Sequence, residues 1–506
     1  MTQAYVNDVP YVRQFVPELA PARIRLAAAV NGLVPPPSAD FDYCELGCGH
    51  GDTLAALAAA HPRARFLGVD IGAAHIASAK RLARDGALEN IGFLERDFEA
   101  LLDEEIGAFD YVVAHGVLTW IGPEKRKAMI ALAQRMLKPG GLLYVTYNAM
   151  PGWSAVEPLR QLLLSPLGQA PEGSSLDRAK SGLAFAQLLQ SSGAEYFAKN
   201  PSATEMLGAM TRAGLPYVVH EYLHEHWTPM YFARVAWEMA AHDLHFAGVL
   251  PLLLNFRESA IPEPLEKAFA DITDRLRFES VKDFAINEFF RRDVYVHGKQ
   301  PRSGESMQRF LDETPWSTLL VDCAERVVRL PHRSVRLEGA IYDAIFDATA
   351  HGAKTLADIE GFERDKLRTA MLRMLVAERA IPMQERIAPA KPDPNARFAI
   401  ASDYNRMMLR RLGSETPLVM ISERAGTAFT TSAIEGLALR ALTEAEPGAR
   451  EAWLRDFAGK HVLRLAVGDK VVESREEQEK ILLAALEQLV TQKLARLVEL
   501  GVVAQV

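Results

Sequence analysis

Apolar positions in the first 150 residues come in short continuous runs, each stopped by glycine, proline or a polar residue and followed by a stretch of helical period. Runs at 41–46, 66–69, 90–94, 109–113 and 142–147 predict buried strands, and the Ala- and Leu-rich stretches between them predict crossover helices. Strand and helix alternating in this way predict a parallel α/β sheet. Helical period also marks 22–33, which closes on Gly32 ahead of Pro35, Pro36 and Pro37, and 123–137, which runs into LKPGG. Farther on, 230–242 reads as a helix, 244–250 as a sixth strand, and the alternating FFRRDVYVH of 289–297 as an antiparallel seventh. A long Ala- and Leu-rich insertion, about 155–230, takes the place of the short helix expected after the fifth strand and is placed to form a lid or substrate platform.

The first strand ends in Gly47-Cys48-Gly49-His50-Gly51, with Glu45 just before it, and the second ends on Asp70. Carboxylates at strand tips face the ligand edge of an open α/β sheet. A pyrophosphate-binding turn uses G-x-G-x-x-G; the tighter alternation here suits S-adenosylmethionine, which carries no phosphate. Bare backbone at Gly47, Cys48 and Gly49 admits its amino-acid end, Glu45 lies near its ammonium, and Asp70, followed by Ile71, accepts the ribose hydroxyls. A purely structural strand-to-helix turn needs fewer glycines. Past the third strand, Asp97 is placed to accept from an adenine amino group and Phe98 to cover the ring. Beyond the fourth come His115 and Trp120; the fifth ends on Tyr147, and Asn148 and Trp153 follow its tip. These are candidates for the acceptor pocket or, equally, packed loop residues. Tyr5 and Tyr11, in an arm spanning 1–20, either anchor the terminus or close the pocket.

Composition narrows the setting. The chain has 506 residues, 49% of them hydrophobic, enough for two or three domains, and its net charge of -8 without a basic run argues against nucleic acid. Cys44, Cys48 and Cys323 are too scattered for a disulfide framework, which fits a cytoplasmic setting. No signal core is present, and GVLPLLLNF is too short to insert in a membrane. His220-Glu221-Tyr222-Leu223-His224 matches the zincin spacing H-E-x-x-H, but the bracketing turns leave only a short helix; a cluster of half-exposed histidines is the expectation, and no metal is assigned.

AYVNDVPY, CELGCGHGDTL, FLGVDI, FDYVVAHGVLTW, LKPGGLLYVTYNAMPGW and YVVHEYLHEHWTPMYF together resemble the class I S-adenosylmethionine-dependent methyltransferases, in particular the bacterial group with a methyltransferase regulatory domain. The resemblance covers about the first 300 residues. It implies a Rossmann-like seven-stranded methyltransferase sheet and, for some members, lysine methylation of outer-membrane proteins. Known relatives form dimers, so a homodimer is compatible with it. The expected organisation is an arm at 1–20, a catalytic domain at 21–300 and a mainly helical region at 301–506, entered through a linker at 298–305. Its part at 334–385 has a winged-helix-like outline of three helices and a small hairpin, with too few clustered basic residues for DNA reading. An apolar stripe from Ile481 to Leu497 serves core packing or a subunit contact.

The acceptor is expected to be a protein lysine. His115 is the candidate proton acceptor, with Tyr147 beside it and an aromatic cage of Tyr5, Tyr11, Trp120, Tyr147 and Trp153 favouring the neutral amine. Adenine-modifying enzymes carry N-P-P-Y where this chain has Ala114-His115-Gly116-Val117, and the paired glutamates of arginine methyltransferases are missing between Asp110 and Gly122. A small-molecule acceptor is the alternative, and a non-catalytic cofactor-binding sensor the third reading.

Overall fold

The computed structural model describes residues 8–9, 13–165, 173–412, 418–461, 465–467, 470–472 and 474–506. Tyr5 and Tyr11 lie outside the described residues. The catalytic half is built on strands β1 (Asp42–Leu46), β2 (Arg65–Asp70), β3 (Ile91–Glu95), β4 (Phe109–Ala114), β5 (Leu137–Asn148), β6 (Leu244–Leu250) and β7 (Phe290–His297). Their order is β3-β2-β1-β4-β5-β7-β6, with the first five parallel and β7 antiparallel to both neighbours. The direction of winding reverses between β1 and β4, so the crevice at their C-terminal ends is where a ligand is expected.

Burial explains the continuous apolar runs. One face of the sheet presents Leu46, Val112, Leu143, Val145 and Tyr147 to the helices Pro123–Met136 and Phe232–Ala240; the other presents Tyr43, Tyr111, Val113 and Tyr144 to Pro21–Ala29, Asp52–Ala60 and Ala73–Asp85. Strand β5 starts earlier than its apolar run indicates, because Leu137 already pairs with Phe109 before an irregularity in the ladder. On the Tyr147 face, Arg291 binds Glu279, Asp283 and Asp293, and Lys282 binds Glu279, all deeply buried. Such a network holds because each charge meets an opposite one.

The insertion forms helices Glu157–Leu164, Ser175–Ser191, Glu195–Lys199, Pro201–Ala213 and Leu215–Tyr222, with a core of their own that includes Leu159, Leu183, Leu207 and Val219. The stretch expected as a linker is tied down: Ser303 N–H donates to Gly32 O at 2.9 Å, and a helix starts at Gly304. In the C-terminal region, helices Ala340–Thr349 and Arg364–Val376 flank a short 3₁₀ turn, Leu356–Asp358. The strand after them, Ile381–Pro382, pairs with Trp316–Ser317 upstream instead of closing a local hairpin. Leu482, Leu486, Leu489 and Leu494 are core residues of this half. No helix among the described residues is long and apolar enough to cross a membrane.

The C-terminal half packs directly on the helix that follows the glycine loop. Ala55, Ala56, Ala59 and Ala60 meet Tyr404, Met408, Val419 and Ile421. Beside them the buried His61 imidazole bonds Gly426 O through Nε2 at 2.8 Å and the Gln384 amide through Nδ1. Burial, against the pull of the Gly426 carbonyl, lowers its pKa to about 4. The neutral ring is therefore the form the fold accepts, and the stability it provides is complete above pH 6.5 and lost as pH falls from there to about 4. That share amounts to about 3 kcal/mol for a shift of this size. The His61→Asn protein is expected to be less stable at pH 8 and to show a shallower loss of stability over that window, measured by urea unfolding at several pH values.

Candidate functional site

A cavity of about 680 Å³ opens at the C-terminal edge of β1, β2 and β4. Its floor is the glycine loop. Gly47, Gly49 and Gly51 have φ of +81°, +52° and +72°, a conformation that side chains rarely tolerate. A Cβ on Gly47 would meet Val117 at 2.7 Å, whereas one on Gly49 would meet nothing within 4 Å and would occupy the cavity itself. Asp70 fastens the loop: Oδ2 accepts from Gly49 N–H at 2.8 Å, and Oδ1 accepts from Gly72 N–H at 2.8 Å and faces His75 Nδ1 at 3.1 Å. Burial would raise its pKa, but His75 and the two amides outweigh that and hold it below the usual carboxylate value.

Glu45 is in the opposite condition. Its carboxyl is buried at the end of β1, and Oε2 has no hydrogen-bond partner among the described residues. Burial first, and then the nearby Asp70 and Asp52, push it up to about 8. A desolvated carboxyl with no cation paired to it among the described residues suits a ligand that brings one.

Glu45, Gly47, Cys48, Gly49, Asp70, Ile71, Asp97, Phe98 and His115 all line this cavity. The Cys48 thiol packs beside Gly68, leaving the main chain as the ligand-facing part. Asp97 is engaged: it bonds Lys125 and caps the helix Phe98–Leu101. His115 lies past β4 near Tyr144, with the rings parallel and 6.3 Å apart; Nδ1 has no partner among the described residues, and burial lowers its pKa to about 4.

The arm and the insertion complete the walls. Gln14, Val16 and Leu19 line the cavity, held by Arg13 on Asp52 at 2.8 Å and by Val16 N–H donating to Thr53 Oγ1 at 3.0 Å. Across from them, the end of the helix Leu215–Tyr222 and the segment after it contribute His220, Glu221, His224 and His226. Trp120 lines the cavity and donates from Nε1 to Glu221 O at 3.2 Å. His220 and His224 are buried, not half-exposed as expected, since His220 Nε2 bonds Val9 O at 3.0 Å under the arm. Among the described residues no group of three or more His, Cys, Asp or Glu is arranged to hold a metal.

The residues at and beyond the end of β5 do not line the cavity. Tyr147 points to the opposite face of the sheet, where its hydroxyl donates to Asp293 at 2.7 Å; Asn148 is buried, its N–H donating to Thr119 Oγ1 at 2.9 Å, and Trp153 is buried in the core of the insertion. Trp153 stacks on Phe289 and donates to Phe289 O at 3.0 Å. Tyr147 is therefore corrected from catalytic to structural, and Asn148 and Trp153 from pocket to core. Glu221 and the 13–19 segment were not singled out as site residues, although H-E-x-x-H already marked the helix that carries Glu221.

A family model described as "Methyltransferase domain" matches residues 44–141, and one described as "Predicted methyltransferase regulatory domain" matches 215–297. Trans-aconitate 2-methyltransferase of Escherichia coli O157:H7 is 30% identical over 204 residues, 38% of this chain and 74% of that one. The chain belongs to the class I S-adenosylmethionine-dependent methyltransferases. Along its whole length this methyltransferase is similar to an uncharacterized protein of Synechocystis, 27% identical over 510 residues and 99% of each chain. The structure of PKMT2 from Rickettsia typhi in complex with AdoHcy superposes with a TM-score of 0.71 at 19% identity, covering 95% of this chain and 98% of that one, which shows the shared fold. The regulatory match begins at Leu215, so the part of the insertion that touches the cavity falls within it together with β6 and β7.

The orphaned Glu45 carboxyl and the open space at Gly49 fit the cofactor's amino-acid end, and Asp70 its ribose. Because a cationic ammonium binds only the ionised form of Glu45, affinity for S-adenosylmethionine is expected to rise about tenfold per pH unit up to about pH 8. Binding below that pH should release a proton, seen by calorimetry in buffers of different protonation heat. Glu45→Gln is expected to weaken binding and flatten the pH dependence.

Proposed function

We propose that this enzyme methylates the ε-amine of a lysine side chain in a polypeptide. The observation that carries this reading is the charge of the cavity. Its only Lys and Arg among the described lining residues are Lys125, paired with Asp97 and Glu99, and Arg96, paired with Glu104, whereas Glu45, Glu124 and Glu221 bring carboxyls with no ion pair among the described residues. A cationic acceptor suits such a lining; a polycarboxylate would meet like charge and no free cation. The similarity to trans-aconitate 2-methyltransferase favours a small acid, but it rests on 38% of the chain. The fold shared with PKMT2 extends through the insertion and the C-terminal half.

Bound S-adenosylmethionine supplies a methyl group on a sulfonium, which an amine displaces in line. The protein's part is to align that amine and to hold it neutral. His115 lines the cavity and is uncharged at neutral pH; with its pKa lowered to about 4 it is too weak a base to keep the ammonium's proton, which leaves to water before the neutral amine attacks. Trp120 supplies an aromatic wall.

Incubation with methyl-labelled cofactor and separate envelope-protein and metabolite fractions is expected to place label in polypeptide, recovered as methyl-lysine after acid hydrolysis. Label confined to metabolites would overturn the lysine reading in favour of a small-molecule acceptor.

A further inference from the structure

Two cavity carboxyls have no cation beside them among the described residues, the buried Glu45 and the half-buried Glu221, and they sit on different parts of the chain. Glu45 ends β1 on the sheet, and Glu221 ends a helix of the regulatory segment. Every other cavity carboxyl is engaged or exposed: Asp70 by Gly49, Gly72 and His75, Asp52 by Arg13, Asp97 and Glu99 by Lys125, and Glu124 lies open to water. Glu221 forms no ion pair and no side-chain hydrogen bond among the described residues, and its main chain is pinned through the Trp120 indole at 3.2 Å. Burial alone raises its pKa to about 7, with no neighbouring charge contributing. Holding such a carboxyl ionised costs free energy, which protonation removes and an arriving cation offsets. The donor carries a single ammonium, and Glu45 is placed for it.

We infer that Glu221 is the anion on which the acceptor's cation docks, so that the regulatory segment, and not the sheet, selects an amine for methyl transfer. This rests on the lysine reading and narrows it to one contact. Trp120, whose indole edge holds the Glu221 main chain, lines the same cavity and adds an aromatic wall, which attracts an ammonium and not an anion. The role would also account for why a segment named for regulation supplies a cavity wall: acceptor recognition and the placement of that helix are then the same event.

The probe is n-butylammonium, a lysine side chain without its backbone, titrated into the full-length protein saturated with AdoHcy, with 1-butanol as the uncharged control. The wild type is expected to bind the ammonium and to prefer it over the alcohol. Glu221→Gln should lose that preference, with ammonium affinity falling at least about tenfold, the size of one charge-assisted contact, while AdoHcy affinity is unchanged. Equal ammonium binding by wild type and Glu221→Gln, or none by the wild type, would overturn the inference. If the Gln variant also loses AdoHcy, Glu221→Asp decides: unchanged ammonium affinity overturns the docking role, and a several-fold loss with AdoHcy retained supports it. The two readings fail separately. Label found only in metabolites, with ammonium binding still dependent on Glu221, removes the lysine reading and leaves the docking site. Label found on lysine, with an acceptor KM that Glu221→Gln does not change, removes the docking site alone.

Discussion

The Asp70 carboxylate is the constraint from which the site follows. It joins the tip of β2 to the loop after β1 by accepting from Gly49 N–H, and it closes its own turn by accepting from Gly72 N–H. A buried carboxylate is costly unless donors surround it, and here two amides and an imidazole do so. Reaching Asp70 puts Gly49 at a positive φ, and the neighbouring glycines take the same region because Val117 on one side, and Ala79 and Phe93 on the other, leave no room for a Cβ. The loop is thus set by internal bonds, which frees Glu45 next to it to remain unpaired.

Preorganisation of this kind divides the cavity by charge. Donors within the protein satisfy Asp70 and Asp97, while Glu45 and Glu221 form no ion pair among the described residues. Neutral His115 lies among them, on the loop after β4 that Thr146 steadies by accepting from Gly116 N–H at 2.8 Å. A lining of this composition attracts ammonium groups, because carboxylates offset the repulsion between an arriving ammonium and the sulfonium until the ammonium gives up its proton.

What was legible from the sequence is what depends on local spacing. Glu45, the three glycines and Asp70 sit at strand ends defined by apolar runs, and both β6 and β7 were visible as periodic segments. Tyr147 was misplaced because proximity to a strand tip does not say which face a side chain takes; it shares the alternation of Leu143 and Val145 and so points to the far core. Trp153 was misplaced for a related reason: its aromatic partners Phe289 and Trp227 are distant in the chain, and only the packed insertion brings them together. The pairing of Ile381–Pro382 with Trp316–Ser317 is another contact that no local pattern encodes.

The alanines of the helix Asp52–Ala60 acquire their meaning from the same non-local packing. Read alone, Ala55, Ala56, Ala59 and Ala60 signal helix propensity; in the fold they let Tyr404, Met408 and Val419 approach the helix closely. The N-terminus of that helix is the end of the glycine loop, and Asp52 in its first turn is bonded to Arg13 of the arm. One rigid element is therefore held by the C-terminal half on its outer side and by the arm at its cavity end. A close-packed contact of small side chains transmits displacement because it has no slack to absorb it. The C-terminal half and the cofactor loop are thus joined through one helix, on whose outer side Val419–Ser422 packs.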